Sequence, residues 1–244
     1  MFFLPYKDDN PTRRFAWVTW CLILINLWVF FSYQLPLDAN AQISYFSKFG
    51  FIPFTFFKQF SPLNLEGMVS EWTTVFTSMF SHGGLLHLLG NMLFLYLYGD
   101  NVEDAMGKGR YILFFLLCGI SAAFAQAFVD PLSKVPLVGA SGAISGVIAS
   151  YLLLYPRANI RVFYWFIIFV GTVYLPAYLL LGFWIFEQII ALPESMKEAG
   201  GIAIAAHIGG FTVGLLLTPF FKRSEIKLFQ NANTRAFSRK SKRV

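Results

Sequence analysis

The sequence predicts an all-α, polytopic membrane protein, and its composition is the first reason. Apolar residues make up 57% of the 244 residues and charged residues only 13%, which is about half the share of charge that a water-soluble domain carries. A helix needs about 20 mostly apolar residues to cross a bilayer. Six stretches approach that length, so we expect a bundle of six transmembrane helices at about 15–33, 83–99, 111–129, 137–155, 175–191 and 201–221.

The fifth of these spans lies within an apolar stretch, 162–190, that is too long for one crossing. A helix rises about 1.5 Å per residue, and the hydrocarbon core is about 30 Å thick. Gly171 and Pro176 predict a break inside the stretch. We therefore expect 160–173 to lie along the membrane interface and the spanning helix to begin near Leu175.

The distribution of positive charge predicts which side of the membrane each loop faces. With six spans, both termini and the loops after spans 2 and 4 share one side, and most of the 19 Lys and Arg residues fall there. The exceptions are Lys48, Lys58, Lys134 and Lys197. Positive residues collect on the cytoplasmic side, so we expect cytoplasmic termini. The expected organisation is a membrane domain over 1–221, with an interfacial first loop over 34–80, and a disordered basic tail over 222–244.

Few polar side chains fall inside the predicted spans, and these residues are candidates for function because an unpartnered one costs a few kcal/mol in hydrocarbon. They include His87, Asn91, Gln126, Glu187, Gln188 and His207, together with Ser141 in a span rich in glycine and serine. Spans 2, 4 and 6 all enter the membrane from outside. His87, Ser141 and His207 are therefore expected at a common depth, about 6–9 Å below the outer boundary. Asn91 lies one turn deeper, on the same helix face as His87.

Two pairs of glycines follow the serine and the last histidine. The pairs are Gly142 and Gly146 after Ser141, and Gly210 and Gly214 after His207. Small residues four positions apart let membrane helices approach closely. If spans 4 and 6 pack through these glycines, the Ser141 hydroxyl and the His207 imidazole come together. A glycine-rich helix that serves packing alone is the alternative at this point.

Three short motifs occur together in this chain. They are HGGLLHLLGN at 82–91, GASG at 139–142 and AHIGGFTVG at 206–214. Each alone is a weak signal, but in this order and on spans 2, 4 and 6 they resemble the rhomboid intramembrane serine proteases. The resemblance covers roughly 10–221 and implies that family's bundle of six transmembrane helices.

The resemblance also implies a role for each candidate residue. Ser141 would be the nucleophile and His207 its general base and then acid, with no carboxylate as a third member. Asn91, His87 and the backbone N–H of Ser141 would stabilise the oxyanion, the last because the first turn of a helix leaves N–H groups unpaired. The resemblance further implies that the helices pack against each other at this site through Gly142, Gly146, Gly210 and Gly214.

The implied activity is hydrolysis of peptide bonds in single-span transmembrane proteins, near the outer face of the membrane. The protein would be integral to a bacterial inner membrane and in contact with its lipid. No cofactor, no metal and no nucleic-acid partner are expected.

Two positions depart from the family pattern. Thr74, in SEWTTVFTSMF, stands where arginine is common, and Ser145 stands where some relatives have a tyrosine that stacks on the histidine. These changes leave open how the first loop is held and what restrains the His207 ring. The phenylalanine-rich stretch 49–60 of that loop favours an aromatic anchor at the interface, with a half-buried loop beside the substrate path as the alternative.

Other functions fit parts of the sequence. His82, His87 and His207 all fall on the outer side and could form a zinc site. A non-catalytic rhomboid-like membrane chaperone or dislocation factor would use the same fold. A small transporter fits least well, because the spans lack paired charges at the midplane.

Overall fold

The computed structural model describes residues 2–58, 71–195 and 203–230. The described helices are α1 (Trp17–Val29, continued by a π-helical turn Phe30–Gln34), α2 (Ala39–Phe49), α3 (Pro53–Lys58), α4 (Glu71–Thr77, followed by a 3-10 turn Ser78–Phe80), α5 (Leu85–Met106), α6 (Lys108–Val129), α7 (Ser141–Leu154), α8 (Ala177–Ser195) and α9 (Ile204–Phe221). Three strands accompany them: β1 (Phe2–Asp8), β2 (Asn159–Phe166) and β3 (Phe169–Pro176).

The chain is mostly helical, and each of the six predicted spans contains one long helix. Over the described ranges, four helical stretches are both long and apolar enough to cross a membrane: Trp17–Gln34, Lys108–Val129, Ala177–Ser195 and Ile204–Phe221. The two other candidates are α5, which carries polar residues along its length, and α7, which has 14 residues. The number of crossings therefore stays a prediction. Of the predicted tail, residues 231–244 lie outside the described part of the chain. Residues 222–230 are described and pack on the bundle, with Ile226 buried and the Phe229 N–H donating to the Leu153 carbonyl at 2.9 Å.

Helix α7 lies at the centre of the bundle, packed among α5, α6 and α9. Almost all of its residues are buried, and only Ser141, Leu152 and Leu153 are partly exposed. At 1.5 Å per residue its 14 residues cover about 21 Å, less than the thickness of the hydrocarbon core. A helix surrounded by protein does not have to match that thickness. Its first residue, Ser141, is partly exposed and lines a cavity.

A small sheet is the main correction to the predicted all-α fold. Most of the segment expected along the interface, 160–173, forms β2 and β3, a hairpin to which β1 adds a third antiparallel strand in the order β1-β2-β3. Its position at the membrane interface stays a prediction. The spanning helix α8 begins at Ala177, directly after the proline that was expected to break it. The cause is composition, because NIRVFYWF and FVGTVYLP are rich in the β-branched and aromatic residues that favour strands. An ion pair of 2.6 Å between Arg161 and Asp9 joins β2 to the residue that follows β1.

The first loop is not a free aromatic anchor over its described residues. Phe51 and Phe56 are buried in a small second core with Val75 of α4 and with Ala123 and Ala127 of α6. The Thr77 hydroxyl links α4 to the end of α2 by donating to the Phe49 carbonyl at 2.7 Å, whereas the Thr74 hydroxyl donates within its own helix, to the Glu71 carbonyl at 2.6 Å. The loop is thus half-buried against α6.

The glycine pairs of α7 and α9 lie where the two backbones meet. A Cβ atom added to Gly210 would collide with the carbonyl oxygen of Gly142, and one added to Gly214 would collide with the backbone of Gly146. Added atoms at Gly142 and Gly146 would collide with Ala122 and Cys118 of α6. Three helices therefore approach each other at a distance that only glycine permits.

We expect Gly210→Ala to lower the free energy of unfolding by about 1–3 kcal/mol, because overpacking forces the two backbones apart. The measurement is the thermal unfolding midpoint of the purified protein in detergent. Gly182→Ala in α8 is the matched control, since its added Cβ has no neighbour within 4 Å. Equal midpoints for the two variants would contradict the close contact between α7 and α9.

Candidate active site

Ser141 is the first residue of α7, and its hydroxyl points at the start of α9. The Ser141 Oγ and the His207 Nε2 are 2.9 Å apart, a normal hydrogen-bond distance. The preceding residue, Ala140, has φ −74° and ψ −6° as N-cap, so the backbone N–H of Ser141 lies in the unpaired first turn of the helix. From the sequence, spans 4 and 6 are expected to bring these two side chains together. The observed distance agrees with that expectation.

His207 is held from its other side by a residue of α8. The His207 Nδ1 and the Gln188 Oε1 are 2.7 Å apart. Because an amide oxygen only accepts, this contact assigns the proton to Nδ1 and leaves the lone pair of Nε2 facing the Ser141 hydroxyl. Trp184, one turn before Gln188, packs against the same imidazole with ring centroids 6.0 Å apart. These two residues restrain the ring in a chain that has Ser145 in place of tyrosine.

Sequence reasoning singled out Gln188 as a polar membrane residue but gave it no role. The signal available was the i, i+4 spacing of Trp184 and Gln188, which places both on one face of α8. Ser145 has a different partner, since its hydroxyl donates to the Ser141 carbonyl at 2.7 Å. Because Ser145 bonds to the carbonyl and not to the hydroxyl of Ser141, it does not compete with His207 for that hydroxyl.

The segment before Ser141 crosses in front of His87 and Asn91. Gly139 has φ +119°, and a Cβ atom there would lie 2.7 Å from Cε1 of His87 and 3.6 Å from Nδ2 of Asn91. This left-handed conformation favours glycine, and the missing side chain leaves room for the imidazole and the amide. Asn91 is buried, and its Nδ2 has no hydrogen-bond partner. A buried N–H donor without a partner is unusual, and it is available to a bound group.

The first loop fixes this segment in place. The backbones of Phe51 and Leu137 pair through two hydrogen bonds of 3.0 and 2.8 Å, and Gly139 donates to the Ser78 carbonyl at 2.9 Å. The loop thereby positions the chain that leads into α7. The loop packs against α6 and contacts residues 137–139, so it forms part of the wall of the site.

A single cavity of about 1100 Å³ reaches all four predicted residues. Its polar lining includes Ser141, His207, His87, Asn91, Ser145 and Gln126, and also Asp130, Ser133, Lys134 and Ser195. Its apolar wall includes Phe94, Ile144, Ile148 and Trp184 from three helices. The arrangement can hold an extended peptide against the serine and can admit water to the same place.

His82 does not join this group as a metal ligand. Burial, together with the nearby His87, lowers the pKa of His82 to about 3, so its imidazole is neutral, which is also the form that a metal binds; the geometry is therefore what bears on the metal site. Its ring centroid lies 5.2 Å from that of His87. Over the described ranges, no three His, Cys, Asp or Glu side chains are grouped so that they could hold a metal ion. The three-histidine zinc site therefore has no geometric support.

Comparison with known proteins identifies similar chains. The family model described as Rhomboid domain matches residues 69–224. Rhomboid protease GluP of Bacillus subtilis is 38% identical over 82 residues, covering 34% of this chain and 16% of that protein. RHOMBOID-like protein 12, mitochondrial, of Arabidopsis thaliana is 29% identical over 160 residues, covering 59% of this chain and 44% of that protein.

A longer match covers most of the chain. Rhomboid-like protein 11, chloroplastic, of Arabidopsis thaliana is 25% identical over 222 residues, which are 86% of this chain and 68% of that protein. The chain spans less than half the length of the two relatives described first. The similarity therefore concerns the helical membrane domain that carries the site.

Proposed function

The chain belongs to the rhomboid family of integral membrane proteins, and from this membership we propose that it is an intramembrane serine endopeptidase. It would hydrolyse peptide bonds of transmembrane proteins with Ser141 and His207 as a catalytic dyad. The observation that carries the proposal is the 2.9 Å contact between the Ser141 hydroxyl and the His207 imidazole inside a cavity.

In the proposed reaction, His207 Nε2 takes the proton of the Ser141 hydroxyl while Oγ attacks the substrate carbonyl carbon. The tetrahedral intermediate then collapses, and the peptide C–N bond breaks as the imidazolium returns the proton to the leaving amine. Water next attacks the acyl-enzyme with His207 as base again, which releases the carboxylate product and restores the serine. The Nδ1 contact with Gln188 keeps the imidazole in the tautomer that these steps require.

The oxyanion would be stabilised by donors that are already in place. The backbone N–H of Ser141 lies at the positive end of the α7 dipole, and the Asn91 amide is buried without a partner. His87 contributes from one turn before Asn91 on α5. Donors that are fixed before the reaction need no reorganisation as charge develops, and each is typically worth about 10²–10³ in rate.

The proposed topology has six crossings, both termini in the cytoplasm and the open end of α7 near the outer face of a bacterial cell membrane. The membrane domain would cover 1–221 and the basic tail 222–244, in contact with anionic lipid. The substrates would be single-span proteins that are cut near their outer ends, because Ser141 lies at the outer end of a short central helix.

The test is turnover of a single-span reporter protein by the purified chain in phospholipid vesicles. The expected products are two fragments whose masses add up to the substrate plus one water, cut near the outer end of the span, with no effect of a metal chelator. Reporter binding without any cleavage would favour the non-catalytic chaperone or dislocation factor instead. Inhibition by the chelator would favour the metal site.

Gln188 provides a sharper test of the dyad, because its amide contacts the imidazole from the side opposite Ser141. Gln188→Leu removes the acceptor and is expected to lower kcat about 10–100-fold, the effect of a lost hydrogen bond to the catalytic imidazole, with little change in KM. Gln188→Glu keeps an acceptor for Nδ1 and should retain most of the activity.

The control for this pair is Glu187→Leu, which changes the exposed neighbour on the same helix. We expect kcat of that variant to equal kcat of the unaltered protein. If Gln188→Leu and Glu187→Leu behaved alike, Gln188 would have no part in positioning His207.

A further inference from the structure

The hairpin between α7 and α8 ends in a run of large apolar side chains, none of which is buried. β2 and β3 pair as far as Phe166 and Phe169, and Ile167 turns the chain with φ +55°. Six consecutive side chains are between 46% and 81% exposed: Trp165, Phe166, Ile167, Ile168, Phe169 and Val170. We call these six residues the hairpin tip.

The base of the same hairpin shows a different pattern. Ile160 and Val162 of β2 are buried in the main core, while Arg161 between them faces outward and pairs with Asp9. This alternation is typical of a strand with one face against protein, since successive side chains point to opposite faces. The hairpin tip has no such alternation, because both of its faces are apolar and exposed.

Exposure on both faces indicates what surrounds the hairpin tip. A protein that docks on a β-hairpin covers one of its faces, whereas lipid contacts both faces of a hairpin that enters the membrane. The one polar side-chain group of the tip is satisfied internally, since the Trp165 indole N–H donates to the Ile167 carbonyl at 2.7 Å. The tip is therefore suited to the boundary between head groups and acyl chains, where aromatic side chains collect.

The position of the hairpin agrees with this environment. It leaves from the end of α7 and returns to the start of α8, where Ala177 donates to the Ala158 carbonyl at 2.8 Å and Tyr178 to the Pro156 carbonyl at 2.9 Å. Its base therefore lies at the end of the bundle opposite Ser141. The outward side of α8 continues the apolar surface with Tyr178, Leu179, Phe183 and Phe186.

We propose that the hairpin tip inserts into the lipid leaflet at the end of the bundle opposite Ser141, as an anchor for the link between α7 and α8. The occupant of this surface is phospholipid, with the aromatic side chains at the level of the head groups. The proposal does not depend on catalysis, so it stands or falls separately from the protease activity.

The experiment uses a polarity-sensitive NBD fluorophore on Ile168→Cys in a Cys21→Ser background, since Cys21 is exposed and Cys118 buried. The protein is reconstituted in phosphatidylcholine–phosphatidylglycerol vesicles with or without doxyl-labelled lipid. The matched control is Arg13→Cys, labelled in the same way at an exposed polar position. Equal thermal midpoints of the two labelled proteins establish that both are folded.

We expect doxyl lipid to quench the fluorophore at 168 at least several-fold more than the fluorophore at 13, and aqueous iodide to show the reverse order. Iodide quenching at 168 equal to that at 13, with no effect of doxyl lipid, would overturn the proposal. The hairpin tip would then lie in water in pure lipid vesicles, which is the result that a protein-docking surface gives.

Discussion

Ser141→Ala is expected to reduce cleavage of a single-span substrate by about 10⁴–10⁶-fold, the range found when a serine nucleophile is removed. The alanine keeps the helix and removes only the oxygen that lies 2.9 Å from the His207 imidazole. The thermal midpoint should stay close to that of the unaltered protein, because the site loses one partly exposed hydroxyl. The measurement is kcat/KM in detergent and in vesicles, with unfolding followed in parallel.

Ser150→Ala is the control for this loss, because Ser150 lies on the same helix, is fully buried and has no partner for its hydroxyl. Its activity should match that of the unaltered chain. Cleavage by Ser141→Ala at a rate near that of Ser150→Ala would mean that another group attacks the peptide bond, and the proposed dyad would be wrong.

Asn91→Leu is expected to lower kcat by about 10²–10³-fold with little change in KM, because the lost interaction forms only when the oxyanion develops. Leucine has a similar shape and removes a buried amide nitrogen that has no hydrogen-bond partner. Replacing such a group by an apolar one is neutral or stabilising. The thermal midpoint should therefore hold or rise while the activity falls.

A thermal midpoint that holds or rises while kcat falls distinguishes an oxyanion donor from a residue that supports the fold. Leu89→Ala serves as the control, since Leu89 is an exposed neighbour on α5. A large drop in the midpoint of Asn91→Leu would indicate that Asn91 supports the fold. An unchanged kcat would indicate that the amide does not contact the reacting group.

Periodicity and composition predicted the helices well because bilayer thickness sets both their length and their apolar content. The same criterion does not detect strands. β2 and β3 pair with each other as a hairpin, and β1 joins them from more than 150 residues earlier in the chain. Their β-branched and aromatic residues favour strands, but in a membrane protein such residues also fit an apolar span, so the sequence predicts no strand at 160–173.

At the candidate site, the residues that belong to short motifs could be predicted, whereas their partners could not. Ser141, His207 and Asn91 stand in motifs that resemble a family, so each had an expected role. Gln188 stands in no motif, and its contact with His207 depends on how α8 lies against α9. The same holds for the pairing of Phe51 with Leu137, which joins a loop to a segment 86 residues later.

The central claim is that a serine and a histidine on two different helices react as one unit, and a fluorophosphonate tests it directly. Attack by an activated serine Oγ displaces fluoride and forms an O–P bond, so one covalent adduct per chain is measured by mass. We predict that the adduct maps to Ser141, is absent from Ser141→Ala and forms far more slowly on His207→Ala. An adduct on another residue, or equal labelling of His207→Ala and the unaltered chain, would contradict the account.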